Sequence, residues 1–302
     1  METIIQTYSL SKQYHGKKVV QELDLAVPCG SIYGFLGPNG AGKSTTMKML
    51  LGLTKPSGGS VRILGRNLSQ ENRLDILKNT GSLIESPAYY GHLSGRENLS
   101  LIASLKQLPM KEVDDILDIV HLQDAGHKRV SHYSLGMKQR LGFAAALLGH
   151  PKLLLLDEPT NGLDPAGIQE MRSLICALPQ RYGMTVLVSS HLLSEIDQMA
   201  THVGILHHGS LIFQDKLSVL HEHSHSRMYL RTTADDQAFH VLRKAALPVI
   251  YEHGKLYLDT GRKADILRAG KLLYAADLGI LHLAAQQKSL EDIFLQLTGM
   301  NP

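Results

Sequence analysis

Apolar and polar positions alternate at the start of the chain, so residues 4–10 and 23–27 predict short strands around a turn at Tyr14-His15-Gly16-Lys17. The alternation then gives way to a continuous apolar run over 31–36, a buried strand. It is followed by a glycine-rich stretch and by helix formers over 45–51, ending at Gly52. A strand-like piece at 60–64 precedes a polar helix at 69–79, and helical spacing governs 95–108, 110–120 and 135–148. The run Leu153-Leu154-Leu155-Leu156 has no polar alternation, which suits a strand covered on both faces in a parallel sheet. A helix at 165–178, a strand at 185–190, a helix at 192–200 and a strand at 203–207 complete an alternating α/β pattern.

Over residues 217–226 the pattern changes to a His-rich polar stretch, a linker or an exposed helix end, and a new unit follows. Strand 227–233, helix 235–246, a hairpin at 249–252 and 255–259, helix 263–276, strand 279–285 and helix 289–297 give the order β-α-β-β-α-β, that of a ferredoxin-like α+β domain. The expected division is a large domain over 1–220 and a small accessory domain over 221–302. His221, His223 and His225 alternate in this stretch, but that spacing in polar surroundings predicts solvated chain rather than a metal site. Tyr229, Tyr251, Tyr257 and Tyr274 are expected to pack within the small unit.

Composition narrows the classes of function. With 302 residues and 43% hydrophobic content the chain can build a substantial core. A net charge of +3 without a long Lys/Arg run gives no footprint for nucleic acid. The amino end lacks the apolar stretch of an export signal, and the longest apolar region, 141–156, is broken by Gly149-His150-Pro151-Lys152, too short to cross a bilayer. Any membrane role is therefore expected to act through a partner. Cys29 and Cys176 lie at no metal-type spacing and predict reduced, buried thiols.

Residues 37–45, GPNGAGKST, meet the phosphate-loop pattern G-x-x-x-x-G-K-[ST] at every specified position, between a strand and a helix. The glycines Gly37, Gly40 and Gly42 let the backbone turn so that successive N–H groups surround a triphosphate at a helix amino end. Asn39, Ala41 and Thr45 complete the cradle, Lys43 would reach the terminal phosphates and Ser44 would give its hydroxyl to Mg²⁺. Downstream, Asp157 closes a buried strand where it can hold Mg²⁺, and Glu158 beside it is a candidate general base for water.

The stretch Tyr133-Ser134-Leu135-Gly136-Met137-Lys138-Gln139-Arg140 resembles the signature Leu-Ser-Gly-Gly-Gln-x-Gln-Arg of the ATP-binding-cassette ATPases, matching at Ser134, Gly136, Gln139 and Arg140 and departing at Leu135 and Met137. The resemblance implies an α/β P-loop NTPase of the ABC type, with a RecA-like core, an antiparallel β subdomain and an α-helical subdomain. It implies ATP and Mg²⁺ as cofactors and a head-to-tail homodimer in which Ser134, Gly136 and Gln139 cover the partner's γ-phosphate. It further implies that Tyr14 stacks on adenine, that Asp164 lies in the loop Asn161-Gly162-Leu163-Asp164 crossing the dimer interface, and that His191 is the switch histidine at the γ-phosphate.

One position departs from the family. Its usual Gln after the strand at 81–84 is here Glu85, a stronger ligand for Mg²⁺ than an amide. Glu85, the following Ser86-Pro87-Ala88-Tyr89-Tyr90 and the closing Ser289-Leu290-Glu291-Asp292-Ile293-Phe294 resemble the ATP-binding subunits of lantibiotic-immunity and bacitracin exporters. That likeness implies a subunit on the cytoplasmic face of a bacterial membrane that drives a separate permease. The alternatives are export of another drug or a lipid, or a soluble family member acting on ribosomes or DNA.

Overall fold

A computed structural model describes residues 2–223, 227–252, 254–286 and 290–298. The chain forms two compact units, Met1–Leu217 and Ser218–Pro302.

The first unit opens with β1 (Thr3–Tyr14), β2 (Lys17–Leu23) and β3 (Ala26–Pro28), followed by β4 (Ile32–Leu36) and α1 (Lys43–Leu50). Next come β5 (Gly58–Ile63), β6 (Arg66–Asn67), α2 (Arg73–Lys78) and β7 (Thr80–Leu83). Three helices follow: α3 (Gly95–Leu105), α4 (Lys111–Ile119) and α5 (Leu135–Leu147). The unit ends with β8 (Leu153–Asp157), α6 (Pro165–Tyr182), β9 (Thr185–Ser190), α7 (Leu193–Met199), β10 (His202–His207) and β11 (Ser210–Lys216). Strands β1, β2, β3, β5 and β6 make an antiparallel sheet, and the others make a sheet in the order β11-β10-β4-β9-β8-β7. In the second sheet every pairing from β10 to β7 is parallel, and only β11 runs against its neighbour.

This order positions the site. Loops at the carboxyl ends of parallel strands open on one edge of the sheet, where open α/β folds bind ligands. β4, β9, β8 and β7 are adjacent, so the segments that follow Leu36, Ser190, Asp157 and Leu83 converge although up to about 150 residues separate them in the chain. Every residue of β4, β8 and β9 is buried, which is why β4 and the four leucines of β8 read as unbroken apolar runs. Helix α1 lies in the core between the sheets: Met47, Met49 and Leu50 pack in one cluster with Ile5, Leu23 and Ile63 of the first sheet and Phe35, Leu155 and Leu187 of the second.

The helical segment is pinned by an N-terminal capping box on α3, where Ser94 Oγ accepts from Glu97 N–H and Glu97 Oε2 accepts from Ser94 N–H. The pattern expectations meet several differences. β1 runs on to Tyr14 and β2 occupies 17–23, so the strand expected over 23–27 is only the short β3. β11 was not expected, because Ser-Leu-Ile-Phe-Gln-Asp-Lys has no clean alternation and the strand forms on the edge of β10. Helix α6 runs through Pro179 to Tyr182 although the proline gives up the bond to the Ile175 carbonyl, and Gly183 ends the helix in the left-handed conformation. Cys29 is exposed and Cys176 half-buried, so neither is the buried thiol expected, although both are free.

The second unit, from Ser218, opens in helix α8 (Leu217–His223), within the stretch expected to be a linker or an exposed helix end; His225 lies outside the described residues. It continues with β12 (Arg227–Thr232), α9 (Asp235–Lys244), β13 (Val249–Glu252), β14 (Lys255–Leu258), α10 (Lys263–Ala275), β15 (Ile280–Gln286) and α11 (Leu290–Thr298). The antiparallel sheet order β13-β14-β12-β15 is that of a ferredoxin-like fold. Its core joins Leu230, Leu256 and Leu258 to Ala238, Leu242, Ala269 and Leu273 of the two helices. Tyr257 is buried, but Tyr251 and Tyr274 are exposed at 43% and 89%, so they are surface residues rather than packing residues. Among the described residues no helix is long and apolar enough to cross a membrane.

Candidate functional site

The loop after β4 folds back on itself before α1. Gly42 caps the helix at φ +107, where a Cβ would meet the Val19 carbonyl oxygen at 2.7 Å, so conformation and space both demand glycine. A cavity of about 430 Å³ opens above the loop, lined by Asn39, Gly40, Gly42, Lys43, Ser44 and Thr45 together with Val19, Glu158, Asn161 and His191. The Lys43 side chain is buried, and its Nζ donates to the carbonyl oxygens of Gly37 at 2.6 Å and Pro38 at 3.3 Å. Burial lowers the Lys43 pKa, and the charges of Glu158 and Asp157 oppose that shift. Ala41 is buried below the cavity surface.

At the end of β8, Asp157 is 3% exposed and accepts a hydrogen bond from Ser189 Oγ at 2.5 Å. The same hydroxyl accepts from the Glu158 N–H at 3.1 Å, so Ser189 ties the two acidic residues to the neighbouring strand. Glu158 turns out of the sheet at φ +50 and directs Oε2 to His191, 2.5 Å from the ring Nδ1 and 3.3 Å from the backbone N–H. A carboxylate only accepts, so this contact puts the proton on Nδ1. Glu158 and His191 thus face the cavity as a pair already joined.

The other expected site residues are distributed around this centre. Glu85 follows β7 at φ +62, and its carboxylate pairs with Lys48 Nζ of α1 at 2.5 Å, away from the cavity lining. The pair raises the Lys48 pKa above its ordinary value. Tyr14 is exposed, carries Lys12 Nζ 4.7 Å above its ring and does not line the cavity. Ser134 caps α5 by accepting from Met137 N–H, and Gly136 lies beside Leu163. Gln139 differs from expectation: its side chain is buried and donates to the Pro159 carbonyl at 2.8 Å, so it braces the chain after Glu158 instead of facing an anion. Asp164 caps α6, its Oδ1 accepting from Gly167 N–H at 3.0 Å, with Pro165 at the first helical position. Sequence reasoning missed Val19 and Ser189; the tandem Ser189-Ser190 before His191 was the available signal for the second.

Ser44 and Asp157 offer hard oxygen donors of the kind Mg²⁺ takes, but among the described residues no cluster of three or more acidic, His or Cys side chains could hold a metal unaided. The set fits an ion carried in by phosphates, the usual mode for Mg²⁺, and not a resident metal.

Comparison with known proteins bears on the family and the fold. The ABC transporter family profile matches residues 20–161. The bacitracin transport ATP-binding protein BcrA of Bacillus licheniformis is 43% identical over 99% of this chain and 98% of its own length. The lantibiotic transport ATP-binding protein SrtF of Streptococcus pyogenes is 39% identical over 70% of this chain and 90% of its own. Among solved structures, an ATP-binding subunit of an ABC transporter superposes with a TM-score of 0.66 at 28% identity, covering 73% of this chain and 93% of that one. The protein cbiO1 of Clostridium perfringens, part of the ABC transporter complex cbiONQ, gives 0.66 at 26% identity over 72% and 89%. A phosphate loop, a strand-end acidic pair and a histidine on one sheet edge, in a chain similar to such a subunit from end to end, place this protein in the ABC transporter family as a nucleotide-binding ATPase.

Proposed function

We propose that this ATPase powers a separate membrane permease exporting a peptide antibiotic of the bacitracin or lantibiotic class, with residues 1–220 as the nucleotide-binding domain and 221–302 as an accessory domain. The observation that carries the proposal is the 43% identity to a bacitracin transport subunit along 99% of the chain. In this reading two copies close head to tail over two ATP molecules. The permease holds them at the cytoplasmic face of the membrane.

Lys43 exchanges the Gly37 and Pro38 carbonyls for phosphate oxygens, and the loop N–H groups, with the amino end of α1, hold the rest of the charge. Ser44 and Asp157 would hold Mg²⁺ against the phosphates, and the ion supplies neutralisation of the charge that builds as the terminal phosphoryl leaves. Glu85 can join them only by releasing Lys48. Glu158 accepts the proton of the attacking water, and His191 keeps that carboxylate aimed until it turns to the γ-phosphate. Ser134 and Gly136, at the amino end of α5, present an anion-binding surface to the opposite subunit's nucleotide.

Survival of a sensitive bacterium expressing this chain with the permease genes beside it tests the proposal. Protection against bacitracin or a lantibiotic, lost on Glu158→Gln, is the expected result. If no such peptide is resisted, the antibiotic class is wrong and the ATPase assignment stands.

A further inference from the structure

A fourth acidic residue lies at this sheet edge, after Asp157, Glu158 and Glu85. Glu195 lies in the first turn of α7, four residues after His191, and is 5% exposed. Its Oε2 accepts a hydrogen bond from Thr160 Oγ1 at 2.6 Å and lies 3.4 Å from Ser190 Oγ. Its other oxygen, Oε1, is buried with no hydrogen-bond partner among the described residues. Thr160 is itself buried, two residues after Glu158, and starts the turn in which Asn161 N–H donates to the Glu158 carbonyl and Leu163 N–H to the Thr160 carbonyl. Asn161 lines the cavity. Ser190 immediately precedes His191, and its hydroxyl accepts the Leu192 N–H at 3.0 Å.

A single carboxylate therefore fastens the loop that leaves β8 to the turn that leaves β9. Packing alone does not explain it, because a buried carboxylate with one oxygen unmet is costly where an apolar side chain would fill the space more cheaply. An unmet oxygen in a native core calls for a role outside simple stability.

We infer that Glu195 is a positioning residue that links the loop beginning at Thr160 to the His191 turn, so that the placement of this loop sets His191 relative to Glu158. Buried polar connections of this kind transmit placement because their alternatives are discrete. The inference rests on Glu158 and His191 acting in hydrolysis. It assigns Glu195 no contact with the nucleotide.

The test uses the full-length chain with Thr160→Val, which removes the hydroxyl at nearly constant volume, Thr160→Ser, which keeps it, Glu195→Gln, and the Thr160→Val/Glu195→Gln double variant. The expected result is a fall in kcat on the order of tenfold for Thr160→Val, the scale of a slightly misplaced reacting group, with KM for ATP within about twofold. Thr160→Ser restores the rate. The double variant is no slower than the slower single one, and the nitrogen NMR signals of the His191 imidazole shift in Thr160→Val although Thr160 has no recorded contact with that ring. A lowered Tm with parental kcat and unmoved His191 signals would make the contact purely structural and overturn the inference. Glu158→Gln, assayed alongside, separates the two levels. If it hydrolyses ATP at the parental rate the catalytic reading fails; if it is inactive while Thr160→Val is normal, only the link through Glu195 fails.

Discussion

Two neighbouring parallel strands, β7 and β8, each deliver a glutamate to the same edge of the sheet, and the two ends are built differently. Glu85 and Glu158 both adopt left-handed backbone angles, +62° and +50°, uncommon for residues with a side chain. At β8 the Glu158 side chain is 21% exposed and joined to His191, and the Glu158 backbone N–H is anchored through Ser189 to the buried Asp157. At β7 the Glu85 side chain is 66% exposed, and its recorded polar partner is Lys48 on the surface of α1. One strand end is a finished arrangement and the other is held by an exchangeable surface pair. The strain at β8 is supported by surroundings that over-determine it, whereas at β7 it leaves a carboxylate that can change partners.

The sharpest way to break this contrast is Glu158→Gln. Hydrolysis should fall by about 10² to 10⁴, the range for losing a positioned base, while ATP still raises the Tm. Parental turnover would place the base elsewhere. Next in size is Ser189→Ala, which strips Asp157 of a hydrogen bond in the buried end. A loss of about 1.5–3 kcal/mol of stability is expected in denaturant titration, the scale for a bond to a charged group. Glu85→Gln should change the hydrolysis rate by less than about tenfold at similar ATP affinity, because a residue outside the cavity lining is not the base; a collapse as deep as that of Glu158→Gln would erase the distinction. The smallest effect is expected of Lys48→Gln, where loss of a partly exposed ion pair should cost under about 1 kcal/mol and less in high salt, read from the same titration.

The sequence made the β8 end easy to read because Leu153-Leu154-Leu155-Leu156-Asp157-Glu158 combines an unbroken apolar strand with its acidic terminus, both local signals. Glu85 stood out as a substitution, but its partner did not, since Lys48 is 37 residues away and meets it only after α1 packs beside the sheet. Gln139 shows the same limit from the other side. Its place in a signature stretch suggested a ligand, and only the approach of α5 to Pro159 revealed a side chain used to hold backbone. In the second unit the strand and helix order was legible from periodicity. The exposure of Tyr251 and Tyr274 was not, because an aromatic residue fits either face of a half-buried element.

The position of β9 also bears on protein synthesis. It lies between β4 and β8, yet it is made after both. A nascent polypeptide that has emerged only as far as Asp157 carries the phosphate loop and the Asp157 carboxylate but lacks the strand that sets their separation, and also lacks Ser189 and His191. Closing that long-range gap is a late, high-contact-order event. The loop and the two carboxylates therefore take their places only once β9 has been made and inserted between its two earlier neighbours.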